Sequence, residues 1–152
     1  MKTQTQLFLE LWTEAGTRFT DQLTILKEAD LKKKLIPSQN SVGFLIRHIC
    51  EVELLFAKNV FGAAHIKVSA ITVKEKRDTG VWTDLQELKD YTALSFKELK
   101  SIIEKQTDAD WHSEITTKEF GTKTKAEAFG RVVSHTAYHA GQIAVINKYG
   151  TY

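Results

Sequence analysis

The sequence predicts an all-α protein, a four-helix bundle with long connections after its second and third helices. Three observations carry the prediction. Apolar residues recur at helical core spacing along four long segments. Helix-starting residues precede the later segments: Asn40 or Ser41, then Thr83 paired with Gln86, then Thr124 paired with Glu127. The only proline, Pro37, falls between the first two segments and disfavours helix at Ile36.

The first helix is expected from about Thr5 to Ala29. Phe8, Trp12, Ala15, Phe19, Gln22 and Leu26 form its inner stripe, and Leu7, Leu11 and Leu23 widen the apolar face. The spacing alone accounts for these aromatics as core, so they need not form a cofactor box. Asp30 to Gln39 is a connector. The second helix is expected over Ser41 to Val60, with Gly62 suited to stop it. Its stripe, Ser41, Leu45, His48, Val52, Leu55 and Asn59, sets a histidine among apolar neighbours. Phe61 to Trp82 reads as a long connection with a short extended piece at Val68 to Val73. Loops of this length are often functional; this one can cross one end of the bundle and help wall a pocket. The third helix is expected from Thr83 to Lys105 or Gln106, with Leu85, Leu88, Thr92, Ser95, Leu99 and Ile102 inward. Asp108 to Lys123 is a second connection able to form a small hairpin near Phe120-Gly121. The fourth helix is expected from Thr124 to about Lys148, with Gly150 just beyond.

The totals bound the rest. The 152 residues are read as one domain, 1–152, long enough for a real core. A net charge of +2 gives no reason to expect nucleic acid or an acidic membrane as partner. The run Lys32-Lys33-Lys34 reads as a solvated loop or helix end. A single cysteine, Cys50, rules out an intrachain disulfide and fits a reducing compartment. No signal peptide and no apolar run near the ~18 residues of a membrane helix is visible. A cytoplasmic location is expected.

The chemistry is concentrated in the histidines. His135 and His139 are four apart on the stripe Ala128, Val132, His135, His139, Gln142, Ile146. On a helix that spacing brings two imidazoles onto one face, about 5–6 Å apart at Cβ, where they can grip one metal ion. His48 lies on the inner stripe of another helix. Bundles build metal sites from inward side chains on facing helices, and three protein ligands leave positions open for water or substrate. Buried histidines hydrogen-bonded in the core are the alternative. Glu51, one turn after His48, is an acceptor behind a ligand, a catalytic base, or a solvated or paired carboxylate. Gln142 either orients a ligand or is a polar residue at a bundle end. Arg47 and Arg131 are the basic groups nearest the histidines and could meet an anionic substrate group; surface pairing is the alternative. Cys50 lies off the metal face, and His65 and His112 fall in connections.

Two stretches carry a family resemblance: Asn40-Ser-Val-Gly-Phe-Leu-Ile-Arg-His48-Ile-Cys-Glu51 and His135-Thr-Ala-Tyr-His139-Ala-Gly-Gln-Ile143. The whole chain resembles the DinB/YfiT-like superfamily. The resemblance implies a four-helix bundle with a long crossover, usually a homodimer, to which the aromatic content of the first helix also points. It implies a divalent transition metal, zinc or nickel, held by His48, His135 and His139. It further implies a low-molecular-weight thiol as co-substrate and a small-molecule substrate, hence a metal-dependent S-transferase or hydrolase. The competing expectation is a non-enzymatic, stress-associated bundle with a structural or vestigial metal site.

Overall fold

The computed structural model describes residues 1–152. Four long helices, α1 (Gln4–Ile25), α2 (Val42–Asn59), α4 (Leu85–Ile103) and α6 (Lys125–Tyr149), form the bundle. Two short helices, α3 (Ile71–Glu75) and α5 (Asp108–His112), and a hairpin of β1 (Glu114–Thr117) and β2 (Gly121–Thr124) occupy the long connections. α2 packs against both α4 and α6, and α6 also packs against α1. This arrangement makes the inward faces of α2 and α6 neighbours.

Local chemistry sets most boundaries. Thr3 and Gln6 form a capping box for α1, a start that the apolar pattern did not reveal. α1 ends at Ile25, before the expected Ala29. The next residues, Glu28–Lys32, form a 3-10 turn because the Asp30 carboxylate accepts from the Lys27 N–H at 2.8 Å and pairs with Lys33 at 2.7 Å. Ser41 caps α2 by accepting from the Phe44 N–H at 3.1 Å. The Thr83–Gln86 box does not form. Asp84 caps α4 instead, its carboxylate accepting from the Glu87 N–H at 2.9 Å, where a negative charge also suits the helix dipole. Thr124 and Glu127 form the expected box at α6. The hairpin is present, with Thr117 opposite Gly121, whose φ of 66° suits the turn.

The extended piece expected at 68–73 is replaced in part by α3. This helix is bracketed by two non-glycine residues in the left-handed region, Ala70 (φ 50°) and Lys76 (φ 56°). Tertiary contacts override the β-branched preference there: the buried Glu51 carboxylate captures both the N–H and the hydroxyl of Thr72. α5 was also not foreseen. Thr107 and Asp110 cap it, and its Trp111 is fully buried with Nε1–H donating to Thr5 Oγ1 at 2.7 Å.

The aromatics of α1 belong to the core. Trp12 and Phe19 are buried and set edge-on against Phe96 of α4, with ring centres 5.5 and 6.0 Å apart. Leu7 and Leu11, expected to extend this face, are exposed instead. α2 is buried on most sides because α4, α6, the short α3 and the 3-10 turn surround it. No helix is long and apolar enough to cross a membrane.

Among the glycines, Gly43 has the least room for a side chain. A Cβ there would come within 2.0 Å of the Trp82 carbonyl oxygen. Trp82 sits edge-on to Phe44, whose ring lies parallel to His48 with centres 5.7 Å apart. Gly43→Ala is therefore expected to destabilise the protein by about 2–3 kcal/mol, the upper part of the roughly 1–3 kcal/mol typical of overpacking. Chemical denaturation would show this as a lower midpoint with an unchanged slope.

Candidate metal centre

His48 projects from the middle of α2 and His135 and His139 from the middle of α6. Their three candidate ligand atoms lie within 4.8 Å of one another. His48 Nε2 and His135 Nε2 are 3.2 Å apart. The ring centre of His139 is 5.0 Å from that of His48 and 4.4 Å from that of His135.

The groups behind the rings set two of the tautomers. The Thr72 hydroxyl donates to Glu51 Oε2 at 2.6 Å, and the Thr72 N–H donates to the same oxygen at 2.9 Å. With its proton so used, Thr72 Oγ1 accepts from His48 Nδ1–H at 3.0 Å. His48 thus presents the bare lone pair of Nε2 to the cluster. Gln142 Oε1 accepts from His139 Nδ1–H at 2.6 Å, and Gln142 Nε2 donates to the Tyr138 hydroxyl at 3.1 Å. His139 therefore also turns Nε2 inward. His135 Nδ1 is buried without a partner, so hydrogen bonding alone does not account for this ring's position.

Burial pushes all three imidazoles down from the ordinary histidine range. His48 falls to about 4 and His135 to about 3, with the neighbouring imidazoles adding repulsion. His139 falls by burial too, opposed by its bond to Gln142. At neutral pH the three rings are uncharged, the form in which imidazole binds metal.

These residues fit an ion. Imidazole nitrogens stand about 2.0–2.1 Å from zinc, and two such nitrogens 3.2 Å apart subtend roughly 100° at the metal. Three imidazoles suit zinc, nickel, copper or iron. The partners of His48 and His139 are the kind that orient metal-binding histidines.

The remaining sequence candidates separate clearly. Glu51 is not solvated: it is fully buried, accepts from Arg47 Nε at 3.0 Å and reaches His48 only through Thr72. Arg47 stacks on the Tyr91 ring at 3.6 Å, is held by Glu51 and does not line the large cavity at the histidines. Arg131 lines the large cavity that His48 and His135 also line. Cys50 is buried, its thiol pushed up to about 12 by that burial. His65 and His112 are exposed and apart from the cluster. The sequence reading missed Thr72 and Tyr138. Tyr138 was within reach, since it stands four residues before Gln142 on one helix face. Thr72 lies in an aperiodic connection, and no local pattern marks it.

Two facing helices of the bundle thus bring three uncharged imidazoles together, an arrangement suited to a metal site. The chain belongs to the DinB superfamily, whose sequence model matches residues 11–143. Two solved structures show the same fold. One, a conserved protein from Enterococcus faecalis, has a TM-score of 0.75 at 20% identity, with 97% of each chain covered. The other, the mycothiol-dependent maleylpyruvate isomerase, has a TM-score of 0.71 at 18% identity, covering 94% of this chain and 63% of that one. No curated protein matches the sequence.

Proposed function

We propose that His48, His135 and His139 hold one divalent transition metal, zinc or nickel, and that the protein acts with it on small electrophiles. The reaction is transfer of a low-molecular-weight thiol or, with water in its place, hydrolysis. The observation that carries this reading is the convergence of three uncharged imidazoles, two with Nδ1 engaged and Nε2 turned inward. The mycothiol dependence named for the structurally similar isomerase supports a thiol as co-substrate. When bound, the ion lowers the pKa of a coordinated thiol or water and so makes a nucleophile available at neutral pH.

The chain's own residues supply the rest. Glu51 and Thr72 keep the His48 proton on Nδ1, and Gln142 does the same for His139. Phe44 and the apolar residues of the cavity wall limit water at the imidazoles. Metal analysis of protein purified without chelators should give one equivalent of zinc or nickel, and metal-dependent loss of thiol with a model electrophile should follow. Protein that takes up neither ion would defeat the reading. The short His48–His135 contact, 3.2 Å, also suits a direct N–H···N bond. That contact supports the second reading, a non-enzymatic bundle whose site is structural or vestigial, its histidines bonded to one another; metal uptake without any thiol turnover would also leave that reading standing.

Thr72→Val removes the hydroxyl but keeps the shape. It is expected to weaken metal binding about 10- to 100-fold, the usual effect of losing a group behind a ligand, with Thr72→Ser restoring most of it. Chelator competition reads this directly.

A homodimer belongs to the same proposal. Since the aromatics of α1 face inward, its support is the exposed apolar surface on Leu35 of the connector and Val145 of α6, which share a groove. Light scattering should report about twice 17.3 kDa; a monomer alone would refute this part.

A further inference from the structure

The cavity beside the histidines has a volume of about 1020 Å³. This is at the large end of pockets for small organic molecules, about 300–1,000 Å³. α2 and α6 form its sides, α3 one edge and the hairpin its far wall. Most of the lining is apolar, but three cations, Lys74, Lys118 and Arg131, face it against a single carboxylate, Glu119. None of the three cations takes part in an ion pair. Arg47, by contrast, is neutralised by Glu51. The cavity therefore carries an uncompensated positive charge.

Arg131 is the best placed of the three. Its guanidinium lies over the Phe120 ring at 4.2 Å, which restrains the side chain and leaves the N–H edge of the fork available. Arg131, Ser134, His135 and Tyr138 all line the cavity, and their spacing puts them on one helix stripe. Arg131 precedes His135 by about one turn, roughly 6 Å along the axis. A carboxylate held at Arg131 would leave its apolar body against the α2 wall and its far end at the imidazoles.

We propose that this cavity binds small organic monocarboxylates with an apolar body, that Arg131 on its Phe120 platform recognises the carboxylate, and that Lys74 and Lys118 add supporting charge. Only the identification of this ligand as the substrate rests on the function proposed above; the binding itself does not. Arg131 is then the residue that selects acids over neutral analogues of the same shape. A carboxylate meeting the planar fork gains two parallel charge-assisted hydrogen bonds, which an amide cannot reproduce.

The test is calorimetric titration of the metal-stripped, full-length chain with 4-phenylbutyrate and, separately, 4-phenylbutanamide. The acid is expected to bind at least tenfold more tightly than the amide at low salt. Arg131→Gln should abolish the preference, Arg131→Lys should keep part of it, and Lys74→Gln should reduce it by less than Arg131→Gln does. A remote exposed change, Lys100→Gln, should leave it intact. Circular dichroism verifies the fold of each variant. Equal affinity for acid and amide, no binding of either, or full preference in folded Arg131→Gln would each overturn the proposal. Because no metal is present in these titrations, a failed metal centre would not affect the result, and failure here would leave the metal centre standing.

Discussion

His139→Ala is expected to lower the affinity for zinc or nickel by about a hundred- to a thousandfold while leaving the bundle folded. Structural zinc sites with four protein ligands gain about 10–16 kcal/mol, or roughly 2.5–4 kcal/mol per ligand, which corresponds to about that loss. The helix should survive because its packing rests on other residues. Ala140, Ile143 and Ile146 on the same segment of α6 are buried in one core cluster with Phe19, Leu45 and Ile49. His139 itself is half-buried, bonded only to its own helix neighbour Gln142. Chelator competition measures the affinity and circular dichroism the fold. A variant binding as tightly as the wild type would show that His139 is not a ligand. An unfolded variant would show that the imidazole is structural.

Glu53 gives the second large effect, and it acts on stability rather than on the site. It is fully buried on α2; Oε1 accepts from the Thr136 hydroxyl at 3.0 Å and Oε2 has no partner. Burial pushes its carboxyl up to about 8 from an ordinary 4.5, with the Thr136 and Trp12 side chains opposing part of the rise. The folded chain therefore holds a proton that the unfolded chain releases once the pH passes 4.5. Stability from this group is complete below that value, declines as pH rises, and is lost by the time pH passes about 8. Holding the proton to pH 7 costs on the order of 3 kcal/mol relative to acidic solution. Glu53→Gln keeps the shape and removes the titration. At pH 8, where the cost reaches about 4 kcal/mol, it is expected to raise Tm by roughly 8–16 °C, given about 2–4 °C per kcal/mol for a chain of this size. At pH 5 the two proteins should melt alike within a degree or two. Parallel melting curves across pH for both proteins would refute the assignment of the slope to Glu53.

The histidines were legible because their information is local. The i, i+4 pair is fixed by helix geometry, and His48 was placed by the same apolar repeat that defines its helix. The stripe of α2 carried more than was read from it: Leu55, Asn59 and the buried Val52 line the cavity. The burial of Glu51 and Glu53 was not legible for a physical reason. An amphipathic pattern assumes one wet face, but α2 is covered on several sides, so both carboxylates are interior. Each then follows its partners: Glu51 meets Arg47 and the two Thr72 donors, whereas Glu53 has only neutral neighbours. Thr72 was out of reach because its role depends on a contact across 21 residues to Glu51 and 24 to His48. Arg131 could be named from its distance along the chain to His135, but the ring beneath it, Phe120, comes from a hairpin whose docking no periodicity encodes.

The two hydrogen-bonded arms behind His48 and His139 make one joint demand on experiment. Crystals grown with zinc and measured at the zinc absorption edge test it most directly. The expected map has a single anomalous peak about 2.0–2.1 Å from Nε2 of each of His48, His135 and His139. An empty space among those three atoms in crystals saturated with zinc, or a peak bound by other residues while these imidazoles stay bonded to one another, would contradict the account.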